Sequence, residues 1–264
     1  MRPFPELEYA IMPRYLTAPS KRRAGLLMSQ KVRFLVAHDT GNSGSMAAAN
    51  VSYYESSRNA MSASAHLFVD DRQILECVPA LTGPPEKAWH VRYNAPEDNR
   101  RYGCSANDAA IGIEYCFGPR INADEAYRRF VWVLAYACWK FGLDPARDII
   151  GHHLLDPTRK TDPQTGLARS HRSYQQLLLD VPAAYARYTG QPGAGPAVQG
   201  AVVARANLNI RRGVPSRRGP ARLVPAGTQL PFVGTVPGEP VRQNNLWYAL
   251  PDHEFCWSGA VLPA

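Results

Sequence analysis

Apolar positions follow two regimes along the chain. Between Lys31 and Tyr188, short apolar runs alternate with longer stretches of helical period; after Gly200 only short β-like runs remain, parted by Gly/Pro turns. Val32 to Ala37 reads as a buried strand that ends in a Gly/Asn turn just after His38. Met46 to Ser57 is alanine-rich and periodic, with Val51 and Tyr54 on one side, and predicts a helix. AHLFVDDRQILECV alternates on either side of Asp70-Asp71-Arg72 as a hairpin does, with His66 and Phe68 on one face. Past the segment Ala88 to Asn94 comes AIGIEYCFG, a short buried strand. In it Ile111, Ile113 and Tyr115 share one face, and Gly112, Glu114 and Cys116 the other.

Asn122 and Glu125 form a capping-box-like start to a core helix. Its Tyr127, Phe130, Val131, Leu134, Cys138 and Phe141 recur at helical spacing until Gly142 stops it. A last helix is predicted from Ser173 to about Tyr188 with Pro182 inside it. The pattern is that of an α/β domain over residues 1–189, with its core at 31–188. Uncharged, Gly/Pro-rich residues 190–200 read as a linker. Residues 201–264 then carry β-like runs at Ala201 to Arg205, Gln229 to Val236 and Asn245 to Leu250, which predict a small all-β barrel.

Composition adds bounds. With 264 residues and 45% hydrophobic content the chain suits one sizeable core and a smaller one. The net charge of +8 favours acidic partners, and the last 64 residues hold seven arginines against three acids, half of the excess. Five irregularly spaced cysteines make no disulfide framework and read as mostly buried thiols. Early prolines and acids interrupt the N-terminus where a secretory signal needs an apolar core, and the longest apolar run, Phe130 to Trp139, is half a bilayer span. No membrane span is expected, nor a signal peptide.

The chemistry-bearing stretch is GHHLLDPTRKTDP, Gly151 to Pro163. His152 and Asp162 suit a borderline metal such as zinc, and the loop between them can fold back on one ion. A third ligand must come from elsewhere, and His38 at a strand end offers it; His153 is an alternative to His152. Glu114, a carboxylate in an otherwise apolar strand, needs a reason to be there. The cysteine and aromatic stripe of the long helix reads as packing instead.

HDTGN with His38, SAHLFVDD, AWH (Ala88 to His90), IGIE (Ile111 to Glu114) and GHHLLDPTRKTDP stand in the order found in zinc-dependent N-acetylmuramoyl-L-alanine amidases of the type 2, peptidoglycan-recognition-like family. Over roughly Lys31 to Tyr188 the chain resembles that family, and its HDTGN and VDD resemble bacterial and prophage wall-lytic enzymes, the endolysins. The tail, LNIRRGVP (Leu208 to Pro215) with Trp247-Tyr248 and Trp257-Ser258-Gly259, resembles SH3-like modules that accompany wall hydrolases. The resemblance implies a mixed β-sheet flanked by helices and cleavage of the amide between N-acetylmuramic acid and L-alanine in peptidoglycan or soluble muropeptides. It implies zinc on His38, His152 and Asp162, Glu114 as acid/base, Lys160 polarising the carbonyl, and substrate contacts from Asn42, His66, Trp89 and His90. A monomer is expected, made in the cytoplasm and acting on the wall after release or non-classical export.

Some positions depart from the pattern. Gln164 follows Asp162-Pro163 where glycine is usual, Ala65 stands where some phage relatives carry a tyrosine, and Arg212 and Val214 replace the usual Ser-Pro step of the SH3-like part. Three other readings compete: a non-catalytic peptidoglycan-binding protein, a zinc peptidase acting on the stem peptide, and a nucleic-acid binder suggested by charge alone. Nucleic acid is not the expected partner.

Overall fold

A computed structural model describes residues 4, 8–93, 95–190, 198–212, 215–218, 221–251 and 254–264. Most of the linker, the end of the Ala88 to Asn94 segment and the Val214 departure therefore lie outside the described residues.

Strands β1 (Ile11–Pro13), β2 (Phe34–Asp39), β3 (Leu67–Val69), β4 (Ile74–Glu76), β5 (Ala110–Tyr115) and β6 (Ile149–Gly151) form one sheet in the order β1-β4-β3-β5-β2-β6. Only the β3–β4 hairpin pairs antiparallel, so the sheet is mixed. β2, paired on both sides by β5 and β6, runs to Asp39, two residues past the expected end, which places His38 inside the pairing opposite Glu114. Two strands were not legible in the sequence. β1 precedes Lys31 and β6 has three residues, too few to show a period. The chain before Lys31 thus belongs to the core, and its Leu16 is 1% exposed.

Helix α1 (Ala47–Ser56) packs on β3 and β4. On the opposite face, α4 (Ala123–Phe141) lies over β5, with Phe130 against Tyr115 at 5.1 Å. It begins as its sequence predicts, the Asn122 side chain accepting from Asp124 N–H and Glu125 N–H, and ends at Gly142 with φ of 67°. Glu125 does not reach back to complete a capping box; it pairs with Arg128 and Arg129 instead. Burial of α4 extends beyond the predicted stripe to Trp132, Val133, Ala135 and Ala137. The reason is a second layer: α7 (Tyr174–Thr189) and Phe4 cover its outer face. Ser173 caps α7 through Gln176 N–H, and Pro182 lies buried within it. The remaining helices are short: α2 (Glu97–Tyr102), α3 (Ala106–Ala109), α5 (His152–Leu155) and α6 (Gln164–Arg169).

Among its described residues the C-terminal part consists of β-strands with short 3-10 turns. Strands β7 (Gly200–Ala204), β10 (Gln229–Phe232) and β14 (Val261–Pro263) make one antiparallel sheet. The other holds β11 (Gly234–Val241), β12 (Asn244–Leu250), β13 (Glu254–Trp257), β8 (Leu208–Arg212) and β9 (Ala221–Val224). The run Gln229 to Val236, expected to be one strand, divides at Val233 and serves both sheets, which is how a small β fold closes around its core. This unit is not isolated from the first, because Leu179 of α7 packs against its core of Val236, Trp247 and Phe255. All five cysteines are free and buried, as expected. Among the described residues no helix is long and apolar enough to cross a membrane.

Candidate metal centre

Parallel pairing aligns Phe68, Glu114 and His38 in one row across β3, β5 and β2. Partners in register project from the same face of a sheet, so the three side chains share a face. β6 delivers His152 beside them as the first residue of α5, and the following loop folds back so that His153 N–H donates to the Asp162 carbonyl at 2.9 Å. Asp162 Oδ2 then lies 2.9 Å from His38 Nδ1 and 3.0 Å from His152 Nδ1. The donor atoms of His38, His152 and Asp162 lie within 4.8 Å of one another, and all three residues are buried. His153 is outside this group: its ring meets Tyr174 edge-on at 4.8 Å and reaches only the Asp162 carbonyl.

Protonation can be traced through the hydrogen bonds. The Ala110 carbonyl can only accept, so His90 Nε2–H donates to it at 3.2 Å and His90 Nδ1 is the acceptor. His38 Nε2–H then donates to His90 Nδ1 at 3.1 Å, which leaves the His38 Nδ1 lone pair facing the Asp162 carboxylate. Burial pushes the His38 imidazole down to about 4, against the pull of Asp162, so at neutral pH it carries no second proton. Burial raises the Asp162 carboxyl, but the two imidazole rings against it outweigh that and hold the group well below the usual range. A neutral nitrogen and an ionised oxygen in contact are two acceptors facing each other, which a cation reconciles. His152 Nε2 is buried without a partner. This donor set fits a divalent metal of borderline softness.

Glu114 lies beside the group with Oε2 buried and unpartnered. Burial, then the charges of Asp162 and Asp39, push its carboxyl well above the ordinary value. Lys160, partly exposed, brings Nζ to 3.8 Å from Asp162 Oδ1. These groups line an open cleft of about 460 Å³ with Trp89, His90 and Tyr54. The other two expected substrate contacts are elsewhere. His66 is wholly buried, donating Nε2–H to the Glu86 carbonyl at 2.9 Å and accepting from Gly112 N–H at 3.0 Å. Asn42 borders a separate surface recess with Arg72 and Arg120.

Two positioning devices escaped the sequence reading. Asp39 accepts from Gly41 N–H at 3.0 Å and from Gly166 N–H at 2.8 Å, which ties α6 to the end of β2. Gly112 explains the glycine of IGIE: a Cβ there would lie 2.7 Å from His90 Nδ1, so only glycine lets His90 reach His38. Neither pairing has a signal in spacing, since the partners come from distant parts of the chain.

The mixed sheet brings two imidazoles and a carboxylate to one cleft, a group that could hold a metal ion, beside a glutamate with an unpartnered oxygen. The chain belongs to the N-acetylmuramoyl-L-alanine amidase family, whose sequence profile matches residues 28–165, just over half of its length. N-acetylmuramoyl-L-alanine amidase BlyA of Bacillus subtilis (strain 168) is 29% identical over 164 residues, 60% of this chain and 43% of the relative. The chain thus matches less than half the length of that curated relative. The fold is shared with the catalytic domain of XlyA (TM-score 0.52, 22% identity, 65% of this chain and 99% of the other). It is shared as well with the Staphylococcus aureus hydrolase AmiA, solved with its ligand (TM-score 0.54, 21% identity, 69% and 85%).

Proposed function

We propose that the protein hydrolyses the amide between the lactyl group of N-acetylmuramic acid and L-alanine in peptidoglycan, with zinc held by His38, His152 and Asp162. The observation that carries this reading is the contact of two acceptors, His38 Nδ1 and Asp162 Oδ2, next to an unpartnered Glu114 in an open cleft of a chain in the amidase family. Zinc at such a site supplies Lewis acidity toward the amide carbonyl and a water of lowered pKa. The protein's own groups do the rest. Glu114, with its raised carboxyl, moves a proton to the leaving amine. Lys160 places positive charge beside the cluster where an oxyanion develops, and Trp89 and His90 border the substrate. His66 acts beneath the cleft by holding Gly112 N–H.

Residues 201–264 are proposed as an SH3-like wall-binding module, because their excess of arginine suits an anionic polymer. A non-catalytic binder on the same scaffold would not need an intact donor set together with an acid. Mass spectrometry of fragments released from purified peptidoglycan tests the proposal. New L-alanine amino termini should appear, vanish on chelation and return with zinc. Cuts within the stem peptide would instead make the protein a peptidase.

A further inference from the structure

The cleft has a second wall that the chemistry above leaves unused. In the row Phe68, Glu114, His38, the metal donors lie on the His38 side. On the Phe68 side stands Tyr54 of α1, which meets Phe68 edge-on at 5.0 Å and borders the same cleft as Glu114. Its hydroxyl has no hydrogen-bond partner among the described residues. Burial, and next the Glu114 charge, push this phenol well above its ordinary pKa, so it remains a donor throughout the neutral range.

Behind the ring lies Arg22, from the segment before β2 and 1% exposed. No carboxylate pairs with it among the described residues. Its partners are neutral: Ser57 Oγ at 2.9 and 3.2 Å, the Ala63 carbonyl, and the faces of Tyr53 and Tyr54 at 5.3 and 4.1 Å from their centroids. A guanidinium buried without an anion is expensive to keep. What it accomplishes is to tie the end of α1 to the turn that follows and to hold the Tyr54 ring by a cation–π contact, beside its edge contact with Phe68. Two contacts of different kind on one ring leave it little rotational freedom.

We propose that Tyr54 is a substrate-contact residue, its hydroxyl donating to an amide carbonyl of the muropeptide on the side of Glu114 away from the metal donors, and that Arg22 is the residue that positions it. This rests on the amidase reading, in which the substrate offers such carbonyls in its acetamido groups and in its peptide stem. With no protein partner, the hydroxyl is free to exchange water for an acceptor that a ligand brings, and amide carbonyls are the acceptors this substrate carries.

Calorimetric titration of a muramyl tripeptide into the zinc-loaded full chain carrying Glu114→Gln reads the contact without turnover. Adding Tyr54→Phe, which removes only the oxygen, should weaken binding about five- to tenfold. Repeating the titration with the N-deacetylated sugar, and with the stem cut to L-alanine alone, tells which carbonyl takes the bond: removing it should cost the parent affinity and cost Tyr54→Phe nothing. An unchanged Kd on Tyr54→Phe overturns the contact. Arg22→Lys should weaken binding in the parent and add nothing on top of Tyr54→Phe; a lowered melting temperature with unchanged Kd overturns the positioning role. Failure of the wild-type chain to release L-alanine-terminated peptide would count against the amidase reading alone, because the titrations decide the contact separately.

Discussion

At the scale of residues, the site works by denying polar groups the partners that water would give them. Glu114 lies half-buried with an orphan oxygen, and its carboxyl is easier to keep protonated than an exposed one. Glu114→Gln keeps shape and hydrogen bonding but cannot transfer a proton; turnover should fall roughly 100-fold or more while zinc stoichiometry by atomic absorption stays at the parental value. Unaltered turnover would transfer the acid/base role to another group. Acid sensitivity follows from His38 and His66, both pushed down to about 4 by burial. Each is neutral in the fold and takes a proton on unfolding below about pH 6.5. A group whose folded pKa is depressed favours the unfolded state as pH falls between the two values, so stability is present above about 6.5 and lost toward 4. Urea midpoints of the metal-free protein should fall steadily from pH 7 to pH 5. A flat profile would contradict the burial of these rings as neutral bases.

At the scale of elements, the register of β5 against β2 and β3 places every group of the site, and Gly112 is the point where it is most exposed to damage. Gly112→Ala should displace His90, and with it the ring that holds His38, weakening zinc by about 10- to 100-fold in chelator competition. The overpacking should also cost about 1–3 kcal/mol of stability. Parental metal affinity in a folded Gly112→Ala protein would mean that His90 does not orient His38. The cap of α4 offers a contrast. Asn122→Ala removes the oxygen that accepts from two backbone N–H groups far from the cleft and should lower stability by about 1 kcal/mol with no change in activity. That cap, the glycine stop and the β3–β4 turn were legible because each depends on residues a few positions apart. β6, α6 and the split at Val233 were not, since the first two are too short to carry a period and the third depends on which sheet claims the strand.

At the scale of the whole molecule, Leu179 joins the two units by packing an α7 side chain against the β core around Trp247. Truncation near Gly190 should spare turnover of small soluble muropeptides, since among the described residues none beyond Thr165 borders the cleft, while weakening sedimentation with whole sacculi in a salt-dependent way. Loss of both activities together would show that the docked module supports the cleft through α7. By itself the sequence determined what short-range periodicity and ordered motifs can encode: the strand–helix alternation, the caps, the all-β tail, and the residue types of the metal group in His38, His152 and Asp162. Only the tertiary structure decided which histidine of the His152-His153 pair turns inward, which tautomer His38 adopts, why Gly112 must be glycine, and that Tyr54, held by Arg22, borders the same cleft. Those outcomes depend on contacts between residues ten to more than a hundred positions apart. Such contacts are set by sheet register and burial, which no local window of the chain contains.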